Sequence, residues 1–309
     1  MRFMLASLPV IVASANVAPL HVEKGCGNAA RLSTSPKRPT RGTMFVVRVT
    51  GVPAESDVSG RVAGEALHLL REPSGAFSSL APAPIDSSTI LVVVSCGIGK
   101  DADTLRLRVA LAKGTYRISH LRVAPRFSVP PDSAIAARQQ REAARAAQVS
   151  TVAHETKRLW SGAFMAPRSS RITSRFGSGR EFNGIVTARH MGTDYAGAVG
   201  APIRAANRGV VRLVDDFFLG GKVVYIDHGA GVVTAYMHMS MQRVAAGDTV
   251  ERGAVLGLVG ATGRVTGPHL HFIVRYGAVS VDPQSLLDSV PRIEYVPSVR
   301  RVLKESLRH

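Results

Sequence analysis

Lys222-Val223-Val224-Tyr225-Ile226-Asp227-His228-Gly229-Ala230-Gly231-Val232-Val233-Thr234-Ala235-Tyr236 decides the fold class of the C-terminal half. Two runs of β-branched and aromatic residues flank a glycine-bearing segment, and this pattern reads as two antiparallel strands joined by a hairpin-like connection. On the N-terminal side, Val210-Val211-Arg212-Leu213-Val214 supplies another strand. On the C-terminal side, Val255-Leu256-Gly257-Leu258-Val259 and Leu270-His271-Phe272-Ile273-Val274 supply two more. Residues 161–290 therefore read as a mostly antiparallel β domain.

Upstream, residues 22–130 carry a second set of short strands. Met44-Phe45-Val46-Val47-Arg48-Val49 is β-branched and alternating. Ile90-Leu91-Val92-Val93-Val94 is a continuous apolar run suited to a strand buried on both faces. Leu105 to Leu111 and Tyr116 to Val123 alternate apolar with polar residues, as half-buried strands do. Turn residues separate these runs, which predicts a small β-sandwich with no titratable cluster. His68 reads as a packed residue and His120 as an edge residue. Pro130-Pro131 closes this domain, because a double proline continues neither a helix nor a central strand. Residues 131–160 are rich in Ala, Arg, Gln and Glu, which predicts an exposed connecting helix whose Arg138 and Glu142 lie one turn apart on a solvated face.

The chain has 309 residues, 45 % of them hydrophobic, which is enough for two cores and excludes a disordered chain. Its net charge of +17 implies an acidic partner. That charge is spread over every region, and aromatics make up only 6 %. Both facts weigh against a nucleic-acid groove and favour contact with an anionic cell envelope. Residues 1–21 begin with one arginine, an apolar run and Ala13-Ser14-Ala15, the pattern of an export signal. The expected location is the periplasm or cell envelope, and a retained leader would give peripheral membrane attachment. Cys26 and Cys96 are an even pair within one domain, read either as a disulfide or as two small buried residues. The tail, 291–309, is basic.

The candidate chemistry lies in three short motifs. His190-Met191-Gly192-Thr193-Asp194 offers an imidazole and a carboxylate that converge through a bent strand or loop. His269-Leu270-His271 puts two imidazoles on one strand face, with Leu270 turned to the core. Tyr236-Met237-His238 ends a strand with a third imidazole. A zinc enzyme needs three protein ligands and an open fourth position. His190, Asp194 and either His269 or His271 supply that set. The remaining imidazoles can take a proton from the attacking water or steady charge on the attacked carbonyl. His228, already in a turn context, is assigned a loop role. Each motif alone also has a plain reading as polar surface, and their order within one glycine-rich domain is what distinguishes them.

These motifs, with Ile226-Asp227-His228-Gly229, Gly247-Asp248-Thr249-Val250 through Gly260-Ala261-Thr262-Gly263, and Gly267-Pro268-His269-Leu270-His271-Phe272, resemble the zinc-dependent cell-wall endopeptidases of peptidase family M23, the lysostaphin and LytM type. The resemblance covers about Ile172 to Leu287. It implies zinc ligation by His190, Asp194 and His271, with His238 and His269 as the catalytic imidazoles. It implies a zinc endopeptidase acting on peptide cross-links of peptidoglycan in cell-wall remodelling. The family also holds catalytically silent members that activate other hydrolases, so the alternative is a silent or autoinhibited regulator that binds the wall. In that alternative the linker helix or the stretch Phe176 to Val186 would cover the groove. The front domain is similar at fold level to the β-sandwich that precedes some exported members.

Overall fold

The computed structural model describes residues 25–289 except 54, 98–101, 125–126 and 128–130, so the expected leader and basic tail lie outside the described residues. The front region holds β1 (Arg31–Ser35), β2 (Met44–Thr50), β3 (Val58–Val62), β4 (Glu65–Leu67), β5 (Leu70–Arg71), β6 (Phe77–Pro82), β7 (Thr89–Cys96), β8 (Asp103–Ala110) and β9 (Ile118–Leu121). Helix α1 (Ser133–Glu155) follows. The second half begins with β10 (Ile172–Ser174), β11 (Gly179–Phe182), β12 (Ile185–Arg189), β13 (Thr193–Ala196), β14 (Pro202–Arg204) and β15 (Gly209–Phe217). It continues with β16 (Gly221–Gly229), β17 (Val232–Gln242), β18 (Thr249–Val250), β19 (Val255–Val259), β20 (His269–Tyr276), β21 (Val279–Val281) and helix α2 (Pro283–Ser289).

The protein is mainly β. In front, two four-stranded antiparallel sheets, β1-β2-β6-β5 and β4-β3-β7-β8, share one apolar core around Phe45, Val47, Leu67, Val92 and Val109. Strand β7 alternates instead of being buried on both faces: Val92 and Val94 are fully covered while Leu91 is exposed. Strands β2 and β6 are enclosed from both sides. Phe45, Val47 and Val49 face the front core, whereas Met44 and Val46 join the core of the second half.

Cys26 and Cys96 form a disulfide across a sequence separation of 70. Closing so long a loop removes entropy mainly from the unfolded chain. Replacing both cysteines by serine is expected to lower unfolding stability by about 2–4 kcal/mol. Denaturant titration checks this, and an unchanged midpoint would contradict it.

The second half centres on a ten-stranded sheet with the spine β10-β13-β20-β17-β16-β15-β18. The β16–β17 hairpin turns through Ala230-Gly231 and pairs Tyr225 with Ala235 and Ile226 with Thr234. Alternation then sorts its side chains. Val224, Ile226 and Tyr236 enter the main core, while Val223, Tyr225, Val233 and Ala235 face the opposite side.

Two expectations are corrected here. Strand β9 is not part of the front sandwich: Ile118–Leu121 pairs in parallel with β11 and completes a three-stranded sheet β12-β11-β9. The alternating pattern predicted a half-buried strand but carried no information about its partner. Nor is α1 simply exposed. Asp132 caps its N-terminus by accepting from the Ile135 N–H at 2.8 Å. Ala146, Val149 and Ala153 then pack on Phe217, Tyr225 and Val233. Small residues give this face little hydropathy but allow close approach to the sheet. Glu142 is buried with it, bonded to Arg138 at 2.7 Å and accepting the Phe218 N–H at 3.0 Å.

The front domain also contributes to a titratable cluster that its own sequence does not reveal. Glu65 and His68 each lie 2.9 Å from His154 of α1, because the two halves of the chain meet there. His120 is an exposed edge residue, paired with Glu181 at 2.9 Å. No helix among the described residues is long and apolar enough to cross a membrane.

Candidate metal centre

The chain leaves β12 at Arg189 and passes through His190-Met191-Gly192 into β13, so His190 and Asp194 converge across a short bend. β13 lies beside β20 in a register that sets Asp194 opposite His271 and Ala196 opposite His269. Along β20, Leu270, Phe272 and Val274 enter the core, which leaves His269 and His271 on the other face. A Cβ on Gly192 would stand 2.6 Å from the Phe272 carbonyl oxygen and 2.7 Å from the His271 ring. Glycine there is what lets the bend approach β20 so closely.

Three atoms meet at the centre. His190 Nε2 and Asp194 Oδ1 are 2.9 Å apart, His271 Nδ1 and Asp194 Oδ1 2.7 Å, and the two ring nitrogens 2.9 Å. The tautomer of His190 is fixed from behind. Its Nδ1 lies 2.9 Å from the Arg175 carbonyl, which can only accept, so Nδ1 carries a proton, and in the neutral ring Nε2 then presents a lone pair. A lone pair facing a carboxylate oxygen and a second imidazole is poorly served by hydrogen bonding. Two nitrogens and one oxygen converging on a buried point suit a divalent cation instead.

Electrostatics agree with that donor set. Burial pushes the His271 imidazole down to about 4 and keeps it neutral, as a ligand must be. Burial would raise the Asp194 carboxyl, but its contacts with His190 and His271 outweigh this and hold it well below the usual carboxylate range. Arg180 on β11 takes the second oxygen of Asp194 at 2.5 Å, leaving Oδ1 as the single oxygen that faces the histidines.

His238 and His269 stand beside this triad, with ring centroids 4.9 Å apart; His238 lies 5.8 Å from His271. Each is oriented by a backbone carbonyl. His238 Nδ1 donates to Thr262 at 2.9 Å, and His269 Nδ1 to Gly267 at 2.8 Å, so in the neutral rings Nε2 is the nitrogen that bears the lone pair. His269 Nε2 is buried with no hydrogen-bond partner among the described residues. Burial, and then the neighbouring His271 and His269, drive the His238 pKa well below its ordinary value.

His238 also has φ +62°, a left-handed backbone that a β-strand rarely contains. The register of β17 shifts around it, with Tyr236 opposite Val224 but Met239 opposite Lys222, and its N–H donates to the Gly220 carbonyl at 2.9 Å. This bulge re-aims the imidazole into the cluster.

The structure thus brings all five candidate residues together, and His271 rather than His269 completes the tight triangle. His228 is not in a loop. It is fully buried in β16, its Nδ1 donates to the Arg208 carbonyl at 2.8 Å, and its Nε2 lies 2.8 Å from the Thr234 hydroxyl. Residues 176–186, considered above as a cover, form a wall of the site through Arg180 and Phe182. Sequence reasoning missed Arg180, because its partner is set by how the β11–β12 hairpin folds back. The orienting carbonyls of Thr262 and Gly267 were within reach, since both lie in the glycine-rich stretches already singled out.

A model of peptidase family M23 matches residues 188–283. A peptidoglycan DD-endopeptidase of Vibrio cholerae, ShyC, is 38% identical over 118 residues, covering 38% of this chain and 27% of that protein. A DD-carboxypeptidase/endopeptidase of Neisseria meningitidis, Mpg, is 41% identical over 125 residues, covering 40% of this chain and 29% of that protein. The chain thus spans under a third of the length of these relatives. A crystal structure from Pseudomonas aeruginosa named for peptidase M23 superposes with a TM-score of 0.63 at 25% identity, over 81% of this chain and 95% of that one. The domain that builds the histidine cluster is a member of peptidase family M23.

Proposed function

We propose that this chain is a zinc-dependent endopeptidase that hydrolyses peptide cross-links of peptidoglycan in cell-wall remodelling. The observation that carries the reading is the convergence of His190 Nε2, Asp194 Oδ1 and His271 Nδ1 on one buried point, with two further imidazoles beside it. These three atoms would hold the zinc, which when bound supplies a Lewis acid for the scissile carbonyl and makes water a nucleophile near neutral pH.

The protein's own groups supply the rest. Arg180 fixes the Asp194 carboxylate by its outer oxygen. His238 and His269, each tied by Nδ1 to a backbone carbonyl with Nε2 left toward the cluster, divide two tasks: accepting a proton from the attacking water and steadying charge on the attacked carbonyl. A cavity of about 350 Å3 reaches Asp194 and His269, and α1 does not line it. That sets α1 aside as a cover, whereas Arg180 and Phe182 of the 176–186 stretch do line the cavity. The relatives' names place their substrate in the wall, and the +17 charge of this chain suits an anionic envelope.

Purified protein is expected to retain close to one zinc per chain and to convert cross-linked muropeptides into uncross-linked ones. Zinc at full occupancy with no change in cross-linking would overturn the reading. Arg180→Met is expected to weaken zinc binding about 10–100-fold, the usual cost of losing a group that orients a ligand. Competition with a chelator of known affinity measures it, and unchanged affinity would count against the role given to Arg180.

A further inference from the structure

We infer that the cavity beside the metal cluster is a carboxylate-binding subsite built on Arg264, and that the chain cuts a bond next to a residue bearing a free carboxylate. This rests on the peptidase reading above and specifies its substrate. The cavity that reaches Asp194 and His269 has Arg264, Arg180 and Arg171 in its lining. Three guanidinium groups in one small cavity call for negative charge, and the protein supplies little. Asp194 is already engaged by Arg180 and the histidines. Glu181, between Arg180 and Phe182 on β11, pairs with His120 instead.

Of the two that Asp194 does not engage, Arg264 is the one whose arrangement is defined. Its guanidinium carbon lies 4.1 Å from the centroid of the Phe182 ring, and it forms no ion pair among the described residues. Its pKa is lowered by burial and then by the positive charge of Arg180. Holding such a cation half-buried beside another costs free energy unless an anion joins it. The aromatic face fixes the guanidinium plane and leaves its N–H edge for a planar, bidentate acceptor. A carboxylate matches that edge. Because the same cavity is lined by His269 and Asp194, the carboxylate must sit close to the cleaved bond.

The consequence separates two kinds of cross-link. A glycine bridge has no free carboxylate near its internal bonds, since every carboxyl there is part of an amide. A bond to a diamino acid, or to a C-terminal residue, leaves a carboxylate beside the scissile amide. The structure assigns this chain to the second kind.

The test uses two synthetic peptides that differ only in a carboxylate or a carboxamide at the residue next to the scissile bond. The zinc-loaded full chain is expected to favour the carboxylate about 10–100-fold in kcat/KM, the range of a charge-assisted hydrogen-bonded pair. Arg264→Gln should collapse that ratio to within about threefold of unity, and Arg264→Lys should restore part of it. Equal rates for the two peptides, or a ratio that Arg264→Gln leaves intact, would overturn the subsite. The wild-type comparison needs no variant, so it stands even if Arg264→Gln fails to fold. Should the chain cut neither peptide, the peptidase reading fails, and equilibrium binding of the same pair to wild-type protein decides the subsite alone. A preference for the carboxylate then supports it, and equal binding rejects it.

Discussion

His271→Ala is expected to abolish hydrolysis and zinc retention together. His271 contributes one of three convergent donor atoms, and its Nδ1 lies 2.7 Å from Asp194 Oδ1 and 2.9 Å from His190 Nε2. A zinc site with three protein ligands has no spare one to lose. His269 cannot substitute, because its Nε2 is 3.8 Å from Asp194 Oδ1 and its Nδ1 is tied to the Gly267 carbonyl. The loss should exceed the about 10–100-fold that removing a supporting group costs. Metal analysis after dialysis, beside muropeptide digestion, measures both quantities on one sample. The fold should survive, since Leu270 and Phe272 hold β20 in the core from the other face. A variant that kept zinc and activity would show that the triangle is not the metal site.

Why the histidine pair of β20 was legible, and Arg180 was not, follows from the range over which each is determined. The two histidines of β20 sit two residues apart, and strand alternation alone puts them on one face. The β16–β17 hairpin is equally local, because its turn and both strands lie within one short stretch. The family resemblance then chose between His269 and His271, which periodicity could not do. Features that depend on distant partners were invisible. β9 pairs with a strand some sixty residues away, and α1 docks through two alanines and one valine, too little apolar area for a clear stripe. Glu142, one turn from Arg138, reads as solvated until the Phe218 N–H is placed against it. β2 shows the same limit: its pattern gave a strand, but only the contact between the two halves of the chain covers its second face.

His238 gives the other large effect, and its backbone allows strain and chemistry to be measured separately. His238→Ala and His238→Gly both remove the imidazole, and with it the hydrogen bond to Thr262. Both should therefore lose about 10²–10⁴-fold in rate, the range of general acid–base assistance, while keeping zinc, because His238 is not part of the donor triangle. They should differ in stability. Within a strand, glycine ordinarily costs about 0.5–1 kcal/mol relative to alanine. At φ +62° the order should reverse, because a Cβ is penalised there by about 1–2 kcal/mol and glycine is not. Thermal or denaturant unfolding of the two variants reads the difference directly. If alanine is the more stable, the left-handed backbone at this position is not a strained one. If glycine is the more stable while both are inactive and zinc-loaded, β17 holds the imidazole in a conformation that costs stability, retained because it aims a proton acceptor at the metal cluster.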